Sequence, residues 1–161
     1  MNYAYDKPLV IDNCVIHLLW KEDLVPVWRE FRSDVKHAIC SVVYWEYMRQ
    51  FWPGRYYPSR NRFLQWLTAG AQILPFGKKE AELATEIYLG LQQKWGRSDR
   101  RKEQLRRIQA DIMIASVAMA QGLTVLTANV RDFLDIKDVI QHQNIGPITG
   151  LAVIDEKDLH A

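Results

Sequence analysis

Four residues able to offer oxygen to a metal ion stand at or just beyond short apolar runs: Asp12 after LVI, Glu46 after HAICS, Asp111 at the head of ADIMIASVAMAQG and Asn129 just past LTVLT. Open α/β sheets gather their ligands outside the carboxyl ends of parallel strands, so parallel pairing of these runs brings all four to one edge. Carboxylates collected there with no lysine among them disfavour one another's ionisation. A hard divalent cation, Mg²⁺ or Mn²⁺, resolves that conflict: it prefers oxygen ligands, keeps several waters and activates one of them as a nucleophile. Each residue also has a local reading. Asp12 and Asn13 suit the cap of an apolar helix from Val15 to Trp20, and Asp111 complements the start of its own helix. Glu46 fits a solvated helix face, Thr127 a purely structural strand end, and Asp132 a surface or capping position. Recurrence of the pattern at separate places in the chain favours the joint reading.

The elements that must position these groups follow from periodicity. Leu9 to Asp12 and His37 to Ser41 read as short buried strands, Leu123 to Thr127 as the most strand-like run, Gln72 to Phe76 as a weaker strand and Leu151 to Ile154 as a last one. Helical spacing marks Asn13 to Trp20, Leu24 to Phe31 and the stretch after Ser41, a good helix start. Two prolines and a glycine in Pro53–Ser59 break the chain before a helix over Asn61–Ala69. Leu83, Ile87, Leu91 and Trp95 recur every four residues, which predicts a long amphipathic helix from Lys79 to near Gly96. The helix from Ala110 is rich in small residues, suits close packing on a sheet and is closed by Gly122. A short helix is expected around Arg131 to Leu134. Strands alternating with helices imply an α/β domain of three layers, α/β/α, with a central mainly parallel sheet, formed as a single domain over residues 1–161.

The composition is that of an ordinary soluble chain, with 48% hydrophobic and 25% charged residues. Cys14 and Cys40 form no C-x-x-C pair, and His17, His37, His142 and His160 are scattered, so reduced thiols without a zinc cluster are expected. No run is long and apolar enough for a membrane span, and no basic leader precedes an apolar stretch; the expectation is a cytoplasmic protein with no membrane partner.

A net charge of +2 does not by itself announce nucleic acid, but its distribution is uneven. Lys94, Arg97, Arg100, Arg101, Lys102, Arg106 and Arg107 stand against Asp99 and Glu103, a local +5 that leaves −3 elsewhere. Lying just before Asp111, these cations are placed to hold an RNA backbone, although such a run also suits a solvated, mobile loop. Tyr44, Trp45, Tyr47, Phe51, Trp52, Tyr56, Tyr57, Phe63 and Trp66, interleaved with Arg49, Arg55, Arg60 and Arg62, form a second surface suited to base stacking or a protein interface once the core has taken its share.

The combination VIDNC, SVVYWE and ADIMIASVAMAQGLTVLTANVRDF resembles the PIN domain, a metal-dependent ribonuclease fold, and in particular the VapC-type toxins of toxin–antitoxin pairs. The resemblance covers nearly the whole chain and is strongest from Asp111 to Phe133. It implies that Asp12, Glu46 and Asp111 bind the catalytic metal, with Asn129 at the fourth, usually acidic, position and Thr127 at the Ser/Thr position before it. It also implies RNA as substrate, a 5′-phosphate and a 3′-hydroxyl as products, an antitoxin protein as partner and a homodimer. Two departures stand out. Asp12-Asn13-Cys14 replaces the usual Asp-Thr-Asn or Asp-Ser-Asn, and Asn129 is neutral. Asn13, Thr127 and Asp132 are therefore secondary candidates to bind the metal or orient water. One tightly held metal is expected, with a second only when substrate phosphate is present.

Rival enzymes fit less well. A haloacid-dehalogenase phosphatase needs an Asp where Cys14 stands, and no glycine-rich phosphate loop follows any strand. No G-x-S-x-G motif supplies a nucleophile. The alternative from another class is a catalytically inactive PIN-like module that binds RNA or protein.

Overall fold

The computed structural model describes residues 9–21, 37–49, 72–146 and 152–155, together with 65 and 69. The helix expected over Leu24–Phe31, the Pro53–Ser59 loop and most of the aromatic and arginine surface, from Phe51 to Arg62 and including Phe63 and Trp66, lie outside the described residues, as does His160. Of the helix expected over Asn61–Ala69, Gln65 and Ala69 are described, and Ala69 N–H donates to the Gln65 carbonyl at 2.8 Å, the spacing of a helical turn.

In chain order the elements are β1 (Leu9–Ile11), α1 (Asn13–Lys21), β2 (His37–Cys40), α2 (Ser41–Arg49), β3 (Gln72–Leu74), α3 (Lys78–Trp95), α4 (Asp99–Arg107), α5 (Gln109–Gln121), β4 (Thr124–Thr127), α6 (Val130–Gln143) and β5 (Ala152–Asp155). The sheet has five strands in the order β3-β2-β1-β4-β5, and every neighbouring pair is parallel. The fold is the three-layer α/β/α arrangement expected. β1, β2 and most of β4 are buried, which is why they read as continuous apolar runs rather than alternating ones. β3 is an edge strand with Gln72 and Ile73 exposed, and the alternation it lacks explains its weaker signal.

The chain steps from β1 outward to β2 and β3, then returns past β1 to lay β4 on its other side, with Ile11 against Leu126. This reversal between β1 and β4 opens the crevice in which such sheets place their chemistry. Helix α5 packs against α3, α6 and β4. It buries Ile112, Ile114, Ala115, Ser116, Val117, Ala118 and Met119, and its nearly all-apolar circumference is that of an interior helix. Gly122 ends it in the left-handed conformation, φ 63° and ψ 39°. Helices α3 and α6 approach closely at Gly90, where a Cβ would lie 2.5 Å from Val139 Cγ1.

Two local expectations are corrected and a third gains a contact. The basic stretch read as a solvated loop contains helix α4. Asp99 stands in its first turn and Arg106 and Arg107 in its last, each complementing the helix dipole, and buried Leu105 anchors it to the core. The short helix around Arg131 to Leu134 is the 14-residue α6, because Phe133, Ile136, Val139 and Ile140 continue one buried stripe. Ser41 does begin α2, but its hydroxyl accepts the Phe76 N–H at 3.0 Å, tying the β2–α2 corner to the segment after β3.

Candidate active site

Asp12 follows the last residue of β1 and is 4% exposed. Its N–H donates to the Leu126 carbonyl at 3.0 Å, which fixes the end of β1 against β4. Its own carbonyl accepts from Val15 and Ile16, at 3.1 and 3.3 Å, so Asp12 is also the residue that starts α1. The capping and functional readings of Asp12 thus describe one geometry. Its carboxylate accepts three donors: Asn13 N–H on Oδ1 at 2.6 Å, and on Oδ2 the Thr127 hydroxyl at 2.7 Å and the Cys14 thiol at 2.8 Å. Thr127, at the end of β4, is fully buried and in turn accepts the Asn129 N–H at 2.9 Å.

Glu46 stands in the middle of α2, and partial burial, followed by the Asp12 charge, raises its pKa, with Arg49 acting in the opposite direction. Asp111, in the first turn of α5, is pushed up to about 8. Burial contributes most, followed by the negative charges of Asp12, Asp132 and Glu46, while Arg107 pulls it down. Four carboxylates from β1, α2, α5 and α6 therefore share one electrostatic environment. Asp132, expected at the surface or as a simple cap, is only 8% exposed. The Asn129 amide lies between two of the acids, with Nδ2 3.2 Å from Asp111 Oδ2 and 2.9 Å from Asp132 Oδ2. Its nitrogen faces both because carboxylates are acceptors. Asn13 has its side-chain oxygen buried with no hydrogen-bond partner.

Among the described residues no three Asp, Glu, His or Cys side chains stand close enough together to hold a metal ion as they are placed. Mutual repulsion accounts for an open arrangement, and the Asn129 amide bridges two acids that would otherwise face each other. The donor chemistry nevertheless fits a hard divalent cation: the shared groups are carboxylates, and the Asn13 oxygen is unsatisfied. The thiols do not compete as ligands. Cys14 is pushed up to about 12, by burial first and then by Asp12. Cys40 is buried and pushed up to about 11, mainly by that burial. His17 and His37 lie on α1 and β2, and His142 contacts Asp138 on α6.

The basic segment divides into two sets. Lys94 pairs with Asp138 at 2.7 Å and Asp135 at 3.6 Å. Lys102 pairs with Asp99 at 3.0 Å and Arg106 with Glu103 at 3.5 Å. Arg101 donates to Gln104 at 2.8 Å and lies 5.9 Å from the Trp95 ring centre. Among the described residues, no hydrogen bond or ion pair engages Arg97, Arg100 or Arg107, and Arg107 is near enough to Asp111 to act on its charge. On the aromatic surface, Tyr47 belongs to the core and Tyr44 is half-buried, whereas Trp45 is 56% exposed beneath the Arg49 guanidinium at 4.6 Å. No helix among the described residues is long and apolar enough to cross a membrane.

The PIN domain family model matches residues 9–139, and the chain belongs to that family. A search of curated proteins by sequence returned no match. Among solved structures, the fold is similar to DNA-bound VapBC from Salmonella typhimurium, at 19% identity and a TM-score of 0.65 over 92% of this chain and 97% of that one. It is also similar to VapBC-1 from nontypeable Haemophilus influenzae, at 16% identity and a TM-score of 0.66 over 92% and 98%. A third is FitAcB from Neisseria gonorrhoeae, at 17% identity and a TM-score of 0.62 over 91% and 96%. At these identities the likeness is one of fold.

Proposed function

We propose that this PIN domain is a divalent-metal-dependent endoribonuclease and the toxin of a type II toxin–antitoxin pair. The observation that carries the reading is the convergence of Asp12, Glu46, Asp111 and Asp132 on one crevice, where burial first, and then the charges of the other three acids, raise Asp111 to about 8. A catalytic site of this kind gains from a cation what an ordinary surface gains from a lysine.

In this reading Asp12, Glu46 and Asp111 would hold Mg²⁺ or Mn²⁺, which when bound would supply water activation and charge stabilisation at the attacked phosphate. Thr127 fixes Asp12 through the 2.7 Å bond from its hydroxyl. Asn129 keeps Asp111 and Asp132 apart and correctly turned, and Asp132 and Asn13 are the reserve oxygens for a second metal brought with substrate phosphate. Arg97, Arg100 and Arg107 contact the RNA backbone; Arg101, Lys102 and Arg106, already engaged within α4, contribute field more than direct contact. Hydrolysis leaves a 5′-phosphate and a 3′-hydroxyl.

The partner is an antitoxin protein, and the functional unit is a homodimer. The similarity to VapBC assemblies supports the antitoxin partner, and the exposed Trp45 with Met48 and Arg49 on α2, the helix that carries Glu46, offers a surface for a protein interface. Size-exclusion chromatography of the full chain is expected to return a dimer mass, and a monodisperse monomer would remove the homodimer.

The neutral Asn129 favours a second reading, a catalytically silent module that binds RNA or protein, because its amide supplies part of what a cation would supply. Cleavage of a mixed single-stranded and structured RNA pool in Mg²⁺ or Mn²⁺ separates the two. Cutting that is abolished by EDTA and by Asp12→Asn establishes the nuclease. Silence of the folded wild type on every RNA, with no Mn²⁺ bound, establishes the module.

A further inference from the structure

Among the described residues at the crevice, the Cys14 thiol is a polar group to which the proposed chemistry gives no task. Two consecutive backbone N–H groups in the β4–α6 corner point toward the crevice: Ala128 donates to Cys14 Sγ at 3.2 Å and Asn129 to Thr127 Oγ1 at 2.9 Å. A backbone N–H can only donate, so thiol and hydroxyl are each left with their own proton to give. Both give it to the same atom, Asp12 Oδ2, at 2.8 and 2.7 Å. The two paths run side by side, Sγ and Oγ1 being 3.4 Å apart. Cys14 therefore links the start of α1 to the end of β4, across 114 positions of sequence to Ala128, by a contact in which it both accepts and donates.

We infer that Cys14 is a positioning residue: by relaying the Ala128 N–H to Asp12 Oδ2, its thiol aims the Asp12 carboxylate at the divalent cation. The inference rests on the metal-dependent reading above. A side chain that merely filled space would need no hydrogen-bonding partners, and an apolar residue of similar size would serve as well. Serine can accept and donate in the same way, whereas valine offers volume alone, so the two substitutions separate the roles. Groups that orient metal ligands from behind typically alter metal affinity by about 10–100-fold. With Thr127 still in place the lower end of that range applies.

The test is calorimetric titration of the full chain with Mn²⁺, wild type beside Cys14→Val and Cys14→Ser, with thermal melts of the metal-free proteins as a control on folding. The expected result is a Kd raised about 10-fold in Cys14→Val and restored to within about 3-fold of wild type in Cys14→Ser. Should Cys14→Val fail to fold, Cys14→Ala carries the same expectation. Wild-type affinity in the folded valine or alanine variant overturns the inference, and so does a folded serine variant as weak as valine. Absence of Mn²⁺ binding by the wild type overturns the metal-dependent reading itself, a failure visible before any substitution is made.

Discussion

Helix α6 carries two kinds of aspartate. Asp132, in its first turn, is buried and faces Asp111 across the Asn129 amide. Asp135 and Asp138, one and two turns later, meet Lys94 of α3. The hydrogen bond from Lys94 holds Asp138 below the usual carboxylate range and raises Lys94 in return. At the crevice the shift runs the other way, with Asp111 pushed up to about 8. One end of the helix has matched its anions with a lysine by direct contact; at the other, the direct contact to Asp111 and Asp132 is an amide, with Arg107 acting on Asp111 through its charge. The first arrangement is self-contained, and the second is where the proposed cation would bind.

The comparison breaks most completely if the crevice acids prove dispensable. Asp111→Asn and Asp12→Asn are each expected to lower Mg²⁺-dependent RNA cleavage by on the order of 10³-fold or more, measured as initial rate, with the fold intact by circular dichroism.

Next in size is the response to metal. At about 100 times its Kd, Mn²⁺ should stabilise the wild type by about 2.7 kcal/mol. That gain should largely disappear in Asp111→Asn and survive in Lys94→Ala, as read from unfolding midpoints.

The pH dependence of the metal-free protein sharpens the contrast. Asp111 rises from an ordinary 3.8 to about 8 in the folded state, so between those values the native chain holds a proton that the unfolded chain has released. Stability contributed by this group is therefore full below about 4 and is lost as pH rises toward 8. Denaturation across that window should show the decline in the wild type and a flatter profile in Asp111→Asn. Metal affinity should increase over the same window as the proton leaves.

Arg107→Ala comes next: weaker binding across RNA sequences, with the slope of log affinity against log salt reduced by about 1. Smallest is Lys94→Ala, whose exposed pairs are screened by solvent; its unfolding midpoint should shift little, and less still at high salt.

Much of this was legible before any coordinates. The buried strands announced themselves as unbroken apolar runs, and β1 and β4 each end beside a residue of the crevice. What escaped depended on distance in sequence or on a single anchoring side chain. The polarity of α4 hides the one leucine, Leu105, that fastens it to the core. Asp132 reads as a surface acid until Phe133 and Ile136 are seen to turn α6 inward. Cys14 looked like a displacement of the family pattern, because the partner that gives it meaning, Ala128, lies on another strand's far end. The Asn129–Asp132 contact was the exception, since its i, i+3 spacing across a helix start is a local signal that could have been found.

The reversal between β1 and β4 also has a consequence for the chain as it is made. Asp12 leaves the ribosome early, but the strand that holds its carboxylate, and the hydroxyl of Thr127 with it, lies 115 positions later. At about 5–20 residues per second, several seconds separate the two. A growing chain therefore carries Asp12, then Glu46 and then Asp111 before the Thr127 hydroxyl that holds the Asp12 carboxylate has been made. In this architecture the first acid is held in its final orientation only once β4 has been made.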